Sequence, residues 1–296
     1  MLQRIRAFFM QRGVLEVETP LLSSAGNTDP SIESIKASSD GYLHTSPEFP
    51  MKRLLAIGSS DIYQICKVFR QGEAGRYHNP EFTLLEWYRL GFDAPQLVDE
   101  VLELIRALAA DAGMGLTDAR LSYQSLFVTS LGIDPLSADE NELARAADAR
   151  GLHPGCNMPR DDWLDLLLSH CITPDFPPDR LTVITDYPAS QAALARLNAD
   201  GQTAARFEVY WGGVELANGY QELTDGAEQR RRVQQELAER EQRKLPTVPV
   251  DERFLQAVDA GLPDCAGVAL GIDRLLMMLL GAEHIREVIS FPADLA

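Results

Sequence analysis

The sequence predicts an α+β protein, a sheet with helices packed against it. Two observations carry this expectation. Strand-like and helix-like segments alternate without a repeating βαβ rhythm, and one pair of β-rich runs brackets a polar loop while another closes on Gly-Gly as a hairpin. The chain has 296 residues, of which 45% are hydrophobic and 24% charged, so it can bury a full core.

In chain order, MLQRIRAFFMQRG reads as a helix with Leu2, Ile5, Phe8 and Phe9 on one face and Gly13 as its stop, not as a signal peptide. VLEVETPLL, residues 14–22, alternates as a strand, with Pro20 at its end or on an edge. SIESIKAS and GYLHTSP read as short strands, and MKRLLAIG after Pro50 as a short helix. DIYQICKVFR and PEFTLLEWYRL are the strands flanking the polar loop, and PQLVDEVLELIRALAADAG is an amphipathic helix over 95–113 that stops at Gly113.

Residues from about 133 to 180 are helical and acidic, end in the proline-rich TPDFPPDR, and have Asp161, Asp162 and Trp163 as their only sharp features. They are expected to form a surface insertion without chemistry. LTVITDYPAS returns to strand, RFEVYWGGVELANGY is the hairpin, and AEQRRRVQQELAEREQRK is an exposed charged helix. CAGVALGIDRLLMMLLG runs from a small-residue strand into an apolar helix.

Charge and motifs exclude several functions. Lys plus Arg number 27 against 44 Asp plus Glu, a net charge of -17, the reverse of what binding a nucleic-acid backbone requires. The four cysteines, Cys66, Cys156, Cys171 and Cys265, are scattered without a CxxC pair, as in a reduced cytoplasmic protein. No apolar run reaches the length of a membrane span. P-loop, GxGxxG, GxSxG and HExxH patterns are all absent.

The stretch FRQGEAGRYHNPEFTLLEWY, residues 69–88, sets Arg70 and His78 in a loop between strands, a place suited to an anion. Strand alternation puts Phe82, Leu84, Glu86 and Tyr88 on one face, which could line a pocket for a flat ring and an amine or be an ordinary half-buried strand. In the hairpin, a turn at Gly212 and Gly213 would pair Trp211 with Val214, Tyr210 with Glu215, and Glu208 with Ala217. Glu208 and Glu215 would then be diagonal neighbours roughly 7–8 Å apart, close enough to share a hard cation such as magnesium. Two glutamates on a solvated strand face would give the same pattern.

GVLEVETPLL, the run FR then RYHNPEFTLLEWY, ELANGYQELTD, and GVALGIDR, in that order, resemble motifs 1, 2 and 3 of the class II aminoacyl-tRNA synthetases in their lysyl form. SPEFPMKRLLAIG, RYHNPEFTLLEWYR and LPDCAGVALG are more closely similar to the elongation factor P lysine ligases, truncated paralogues of the lysyl enzymes. The resemblance covers nearly the whole chain. It implies one catalytic domain over 1–296, an antiparallel sheet flanked by helices, with no anticodon-binding domain and with motif 1 forming a homodimer interface.

For the site, the resemblance implies bent ATP with its α-phosphate on Arg70, terminal phosphates reached by His78, and adenine between Phe82 and Arg274. Asn79 and Glu73 belong to the same ATP-binding loop, although the family's motif 2 usually has its glutamate two residues after the arginine, where this chain reads Arg70, Gln71, Gly72, Glu73. Glu208 and Glu215 match the magnesium ligands. Glu48, Glu86 and Glu222, with Tyr88 and Asn218, match the residues that hold the ammonium groups of a lysine-type substrate.

Plain alternation would turn Asn218 and Glu222 away from Glu215, so a bulge or turn is required, with Gly219 the candidate. Ala269 stands where lysyl-tRNA synthetases have glycine, which implies a pocket that disfavours α-lysine and suits β-lysine. The implied reaction is formation of an acyl-adenylate, with Arg70 and Arg274 as the catalytic arginines, then transfer to a lysine ε-amine of elongation factor P. The missing anticodon domain and the net charge make tRNA a poor acceptor. The alternatives are a truncated ligase acting on tRNA or a small amine, and a catalytically silent paralogue.

Overall fold

The computed structural model describes residues 1–296 except Asp40 and Asn157. Helix α1 (Leu2–Gln11) buries Ile5, Phe8 and Phe9, the face its sequence predicts. Phe9 stacks on Tyr63 at 4.4 Å between ring centroids and meets Trp87 edge-on at 5.4 Å, which joins the helix to the sheet.

The single strand expected over 14–22 is instead two short ones, β1 (Leu15–Glu16) and β2 (Leu22–Ser23). Pro20 between them has no N–H to continue a ladder, and the chain changes sheets there. β2 joins β3 (Lys36–Ser38) and β4 (Gly41–Leu43) in a three-stranded antiparallel sheet. Helix α2 (Glu48–Ala56) starts before Pro50, which its first turn tolerates.

β5 (Ile62–Phe69) and β6 (Glu81–Leu90) flank the polar loop as antiparallel neighbours. Helix α3 (Ala94–Asp111) opens with an Asp93–Gln96 capping box and covers the sheet with Leu97, Val101, Leu104, Ile105 and Leu108. The later strands are β7 (Thr117–Ser122), β8 (Arg180–Pro188), β9 (Thr203–Trp211), β10 (Val214–Gln221) and β11 (Cys265–Gly271). The main sheet runs β1-β5-β6-β11-β10-β9-β8-β7. Its interior is antiparallel, as expected, and only the two outermost pairings, β1 with β5 and β7 with β8, are parallel. One face packs Leu85, Trp87, Val268, Leu270, Phe207 and Val209 against α1, α3 and α9 (Ile272–Leu280). The other face is left for polar side chains.

Two expectations about helices are corrected. The region from 133 to 180 is more than a solvated insertion. With α4 (Tyr123–Leu131), α5 (Glu140–Asp148) and α6 (Arg160–Leu167) it builds a second core, in which Trp163, Leu164 and Leu167 pack with Phe127, Ile184 and Tyr210.

Nor is α7 (Gly226–Gln242) simply an exposed charged helix. Arg240 is 1% exposed and donates to the carbonyls of Asp29 and Pro246, and Arg232 donates to those of Ala193 and Ala195. These arginines satisfy loop carbonyls that burial would otherwise leave unpaired. Helix α8 (Glu252–Gly261) packs on α2 and α7. Among the described residues, no helix is long and apolar enough to cross a membrane.

Gly219 faces the core, where an added Cβ would lie 2.4 Å from Phe207 Cζ and 2.9 Å from the Gly267 carbonyl oxygen. Gly219→Ala is expected to cost about 1–3 kcal/mol by overpacking, read as a lower midpoint in urea unfolding.

Candidate active site

The geometry of the site begins at the β9–β10 turn. Trp211 pairs with Val214 and Tyr210 with Glu215 across Gly212 and Gly213, as the hairpin reading expects. The register then shifts between Glu215 and Ala217, so Ala217 opposes Val209 and Glu208 opposes Asn218, not Ala217. The bulge is therefore at Leu216 and not at Gly219. One extra residue returns Asn218, Tyr220 and Glu222 to the face that carries Glu215. Asn218 Nδ2 lies 3.5 Å from Glu208 Oε1. Across the strands, Glu86, Ala269, Asn218 and Glu208 form one row.

At one end of the resulting cleft three carboxyl groups converge. Glu86 is 2% exposed and accepts from Ser46 Oγ at 2.6 Å and Tyr88 Oη at 2.7 Å. Burial, reinforced by the charge of Glu48, pushes it up to about 8. Glu222 is 1% exposed and burial raises it to about 7 against the pull of Lys52. Lys52, itself 1% exposed, places Nζ 2.6 Å from Glu48 Oε1 and 2.5 Å from Glu222 Oε2. Burial alone would lower this lysine, but the charges of Glu222 and Glu48 raise it. Glu222 Oε1 has no hydrogen-bond partner among the described residues.

The floor of this end is Gly267, where a Cβ would lie 2.3 Å from Tyr88 Cε1 and 2.4 Å from Glu222 Oε1. Ala269, two residues on, also lines the cleft, so its methyl narrows the space beside Glu86.

The other end gathers cations. Arg70 Nε donates to the Thr45 carbonyl, and its guanidinium lies 5.1 Å over the Phe82 ring. Gly72, at φ +79, turns the loop so that Glu73 comes back to within 3.6 Å of Arg70 Nη1. Arg274 donates to the carbonyls of Tyr77 and Glu215, and its Nη2 lies 2.6 Å from His78 Nε2. Burial and the charge of Arg274 lower His78, which suits a neutral imidazole accepting at Nε2. Asn79 lines the cleft too, but its amide is engaged, donating to the Glu81 carbonyl and accepting from the Ala293 N–H. It anchors the C-terminal segment to the loop.

Glu208 accepts from Tyr210 Oη at 2.6 Å and Arg206 Nη2 at 2.5 Å. Burial and the charge of Glu208 raise Glu215. This juxtaposition of carboxylates fits a hard cation. Among the described residues no cluster of three or more metal-binding side chains forms, so a cation here would draw its remaining ligands from water or a bound phosphate. A second cavity of about 380 Å³ adjoins this end, sharing His78, Glu215 and Arg274 with the cleft and walled by Asp165, Ser169 and Thr173 from the helical insertion.

Residues 1–295 match the family described as tRNA synthetases class II (D, K and N). The chain belongs to the class II tRNA synthetases. Within that family it is 48% identical to the elongation factor P--(R)-beta-lysine ligases of Histophilus somni and Yersinia enterocolitica, in each case across 99% of this chain and 92% of the relative. The corresponding ligase of Proteus mirabilis is also 48% identical, across 97% of this chain and 91% of its own length.

In this class II synthetase the cleft brings together all the residues singled out from sequence, with Glu208 on the adjoining cavity. Sequence reasoning missed Ser46, Gly267 and above all Lys52. Only the spacing of Lys52 four residues after Glu48 on a helix hinted at it.

The raised carboxyls set a pH dependence. Glu222 at about 7 and Glu86 at about 8 hold protons that a cation docking on their carboxylates would displace. Folded-state values above the ordinary 4.5 mean that the stability these groups contribute is complete below 4.5 and is lost as pH rises through 7 to 8. A diammonium ligand is therefore expected to bind more tightly as pH rises from about 6 to about 8 and to release protons as it binds. Calorimetry in buffers of different ionisation enthalpy measures both.

Proposed function

We propose that the chain activates β-lysine with ATP and transfers the aminoacyl group to a lysine ε-amine of elongation factor P. The observation that carries this reading is the joining in one cleft of a buried carboxylate cluster, Glu48, Glu86 and Glu222, with an arginine end at Arg70 and Arg274. The names of the relatives at 48% identity support the same acceptor.

In this reading the substrate's ammonium groups dock on the carboxylates, helped by Tyr88 and Asn218, and its own carboxylate is carried toward the arginines. Arg70 holds the ATP α-phosphate, His78 the terminal phosphates, and Phe82 and Arg274 clasp the adenine ring. The substrate carboxylate attacks the α-phosphorus, pyrophosphate leaves, and the acceptor amine then attacks the acyl carbon and releases AMP.

Alignment and charge neutralisation carry this chemistry, so a protein nucleophile is not required. Magnesium, when held by Glu208 and Glu215, would neutralise phosphate charge. Apolar Leu2, Met10 and Leu15, exposed around edge strand β1, support self-association as a homodimer. The free thiols of Cys66, Cys156, Cys171 and Cys265 suit a cytoplasmic setting.

The decisive experiment is ATP–pyrophosphate exchange with α-lysine and β-lysine offered separately, followed by label transfer to elongation factor P or tRNA. Exchange favouring β-lysine, with label on the protein acceptor, is expected, whereas α-lysine exchange with label on tRNA would overturn the reading. Arg70→Ala is expected to lower exchange by about 10²–10³-fold. Ala269→Gly should raise kcat/KM for α-lysine relative to β-lysine, and an unchanged ratio would remove Ala269 from the specificity argument.

A further inference from the structure

The carboxylate end of the cleft contains a cation of its own. Lys52 Nζ lies 2.6 Å from Glu48 and 2.5 Å from Glu222, under the ring of Phe254 at 5.9 Å, and is 1% exposed. A buried ammonium so placed is not a surface ion pair. It neutralises one of three carboxylates that share the cavity and fixes the direction of two of them.

We propose that Lys52 is a positioning and specificity-determining residue that sets the charge of the amine cavity, leaving an excess of two negative charges that selects a ligand with two ammonium groups over a ligand with one. Three geometric facts support this count. Glu86 is oriented by the neutral donors Ser46 and Tyr88, while Lys52 makes its ion pairs with Glu48 and Glu222. Glu222 Oε1 is buried without a hydrogen-bond partner among the described residues, an acceptor left for a ligand. Gly267 keeps open the space directly beside that oxygen.

Without Lys52 three carboxylates would crowd one buried cavity, and ligand charge would no longer match the excess. With a carboxylate removed instead, one ammonium group would suffice. Selection by charge count is thus a property of the set, in which Lys52 carries the opposite sign to every carboxylate around it. The inference rests on reading this cavity as the amine subsite.

The test uses ligands that need neither ATP nor an acceptor. Dissociation constants of 1,5-diaminopentane and n-pentylamine are measured by calorimetry on the full chain, buffered just above the value of about 8 to which Glu86 is pushed. The wild type is expected to prefer the dication by about tenfold or more. Glu48→Gln, which leaves one excess charge, should lose most of that preference. Adding Lys52→Met to Glu48→Gln restores the excess of two and should recover it, an outcome that a merely structural lysine would not produce.

A wild type indifferent to ligand charge overturns the proposal, as does a preference in Glu48→Gln equal to the wild type's. If the double variant folds, shown by a cooperative melt, and does not recover the preference, the proposal also falls. If it does not fold, the wild type and Glu48→Gln still decide. Dication selection in a protein that exchanges pyrophosphate with neither lysine would leave the charge count standing and sink the ligase reading. β-Lysine exchange with no dication preference would do the reverse.

Discussion

One added residue in β10 decides what the cleft contains. The bulge at Leu216 turns Asn218, Tyr220 and Glu222 onto the face already occupied by Glu208 and Glu215. Without it, period-two alternation would send those three side chains toward α3 and the apolar core, where neither charge nor amide could be satisfied. The bulge therefore lets one strand present carboxylates to both ends of the cleft, Glu215 near the turn and Glu222 further along.

The second constraint is electrostatic. Burying Glu86 and Glu222 is unfavourable, and the fold offsets it only in part, through Ser46 and Tyr88 on one carboxylate and Lys52 on the other. What remains uncompensated shows as raised carboxyl values, the feature on which the proposed amine subsite rests. At the far end the balance is reversed. Arg70 and Arg274 are held by backbone carbonyls at Thr45, Tyr77 and Glu215, so their positions do not depend on an anion being present.

The periphery supports these two ends. The helical insertion builds its own core on β8 and β9 and reaches the second cavity with Asp165, Ser169 and Thr173, beside Glu208 and Arg274. Helix α7 holds the loop before β3 through Arg240 and the segment after β8, whose Ala195 bridges Glu222, through Arg232. Both regions read as solvated from composition because their charged residues are many, and both bury a specific subset of them.

The sequence by itself determined the first helix, the strands around the polar loop, the Gly-Gly hairpin turn and the family, because these depend on local periodicity, turn chemistry and motif order. It also pointed to Arg70 in the polar loop and to Glu86, Glu208 and Glu215 by strand alternation, while Glu222 and Arg274 came from the resemblance in motif order. The site of the bulge, the engagement of the Asn79 amide and the bridge from Lys52 to Glu48 and Glu222 were decided only by tertiary structure. A bulge changes register without a residue signature of its own, and Lys52 and Glu222 are 170 positions apart in the chain. Their contact exists only because the tertiary fold sets α2 beside the residue that follows β10, and no local pattern encodes which lysine of a helix will be turned inward.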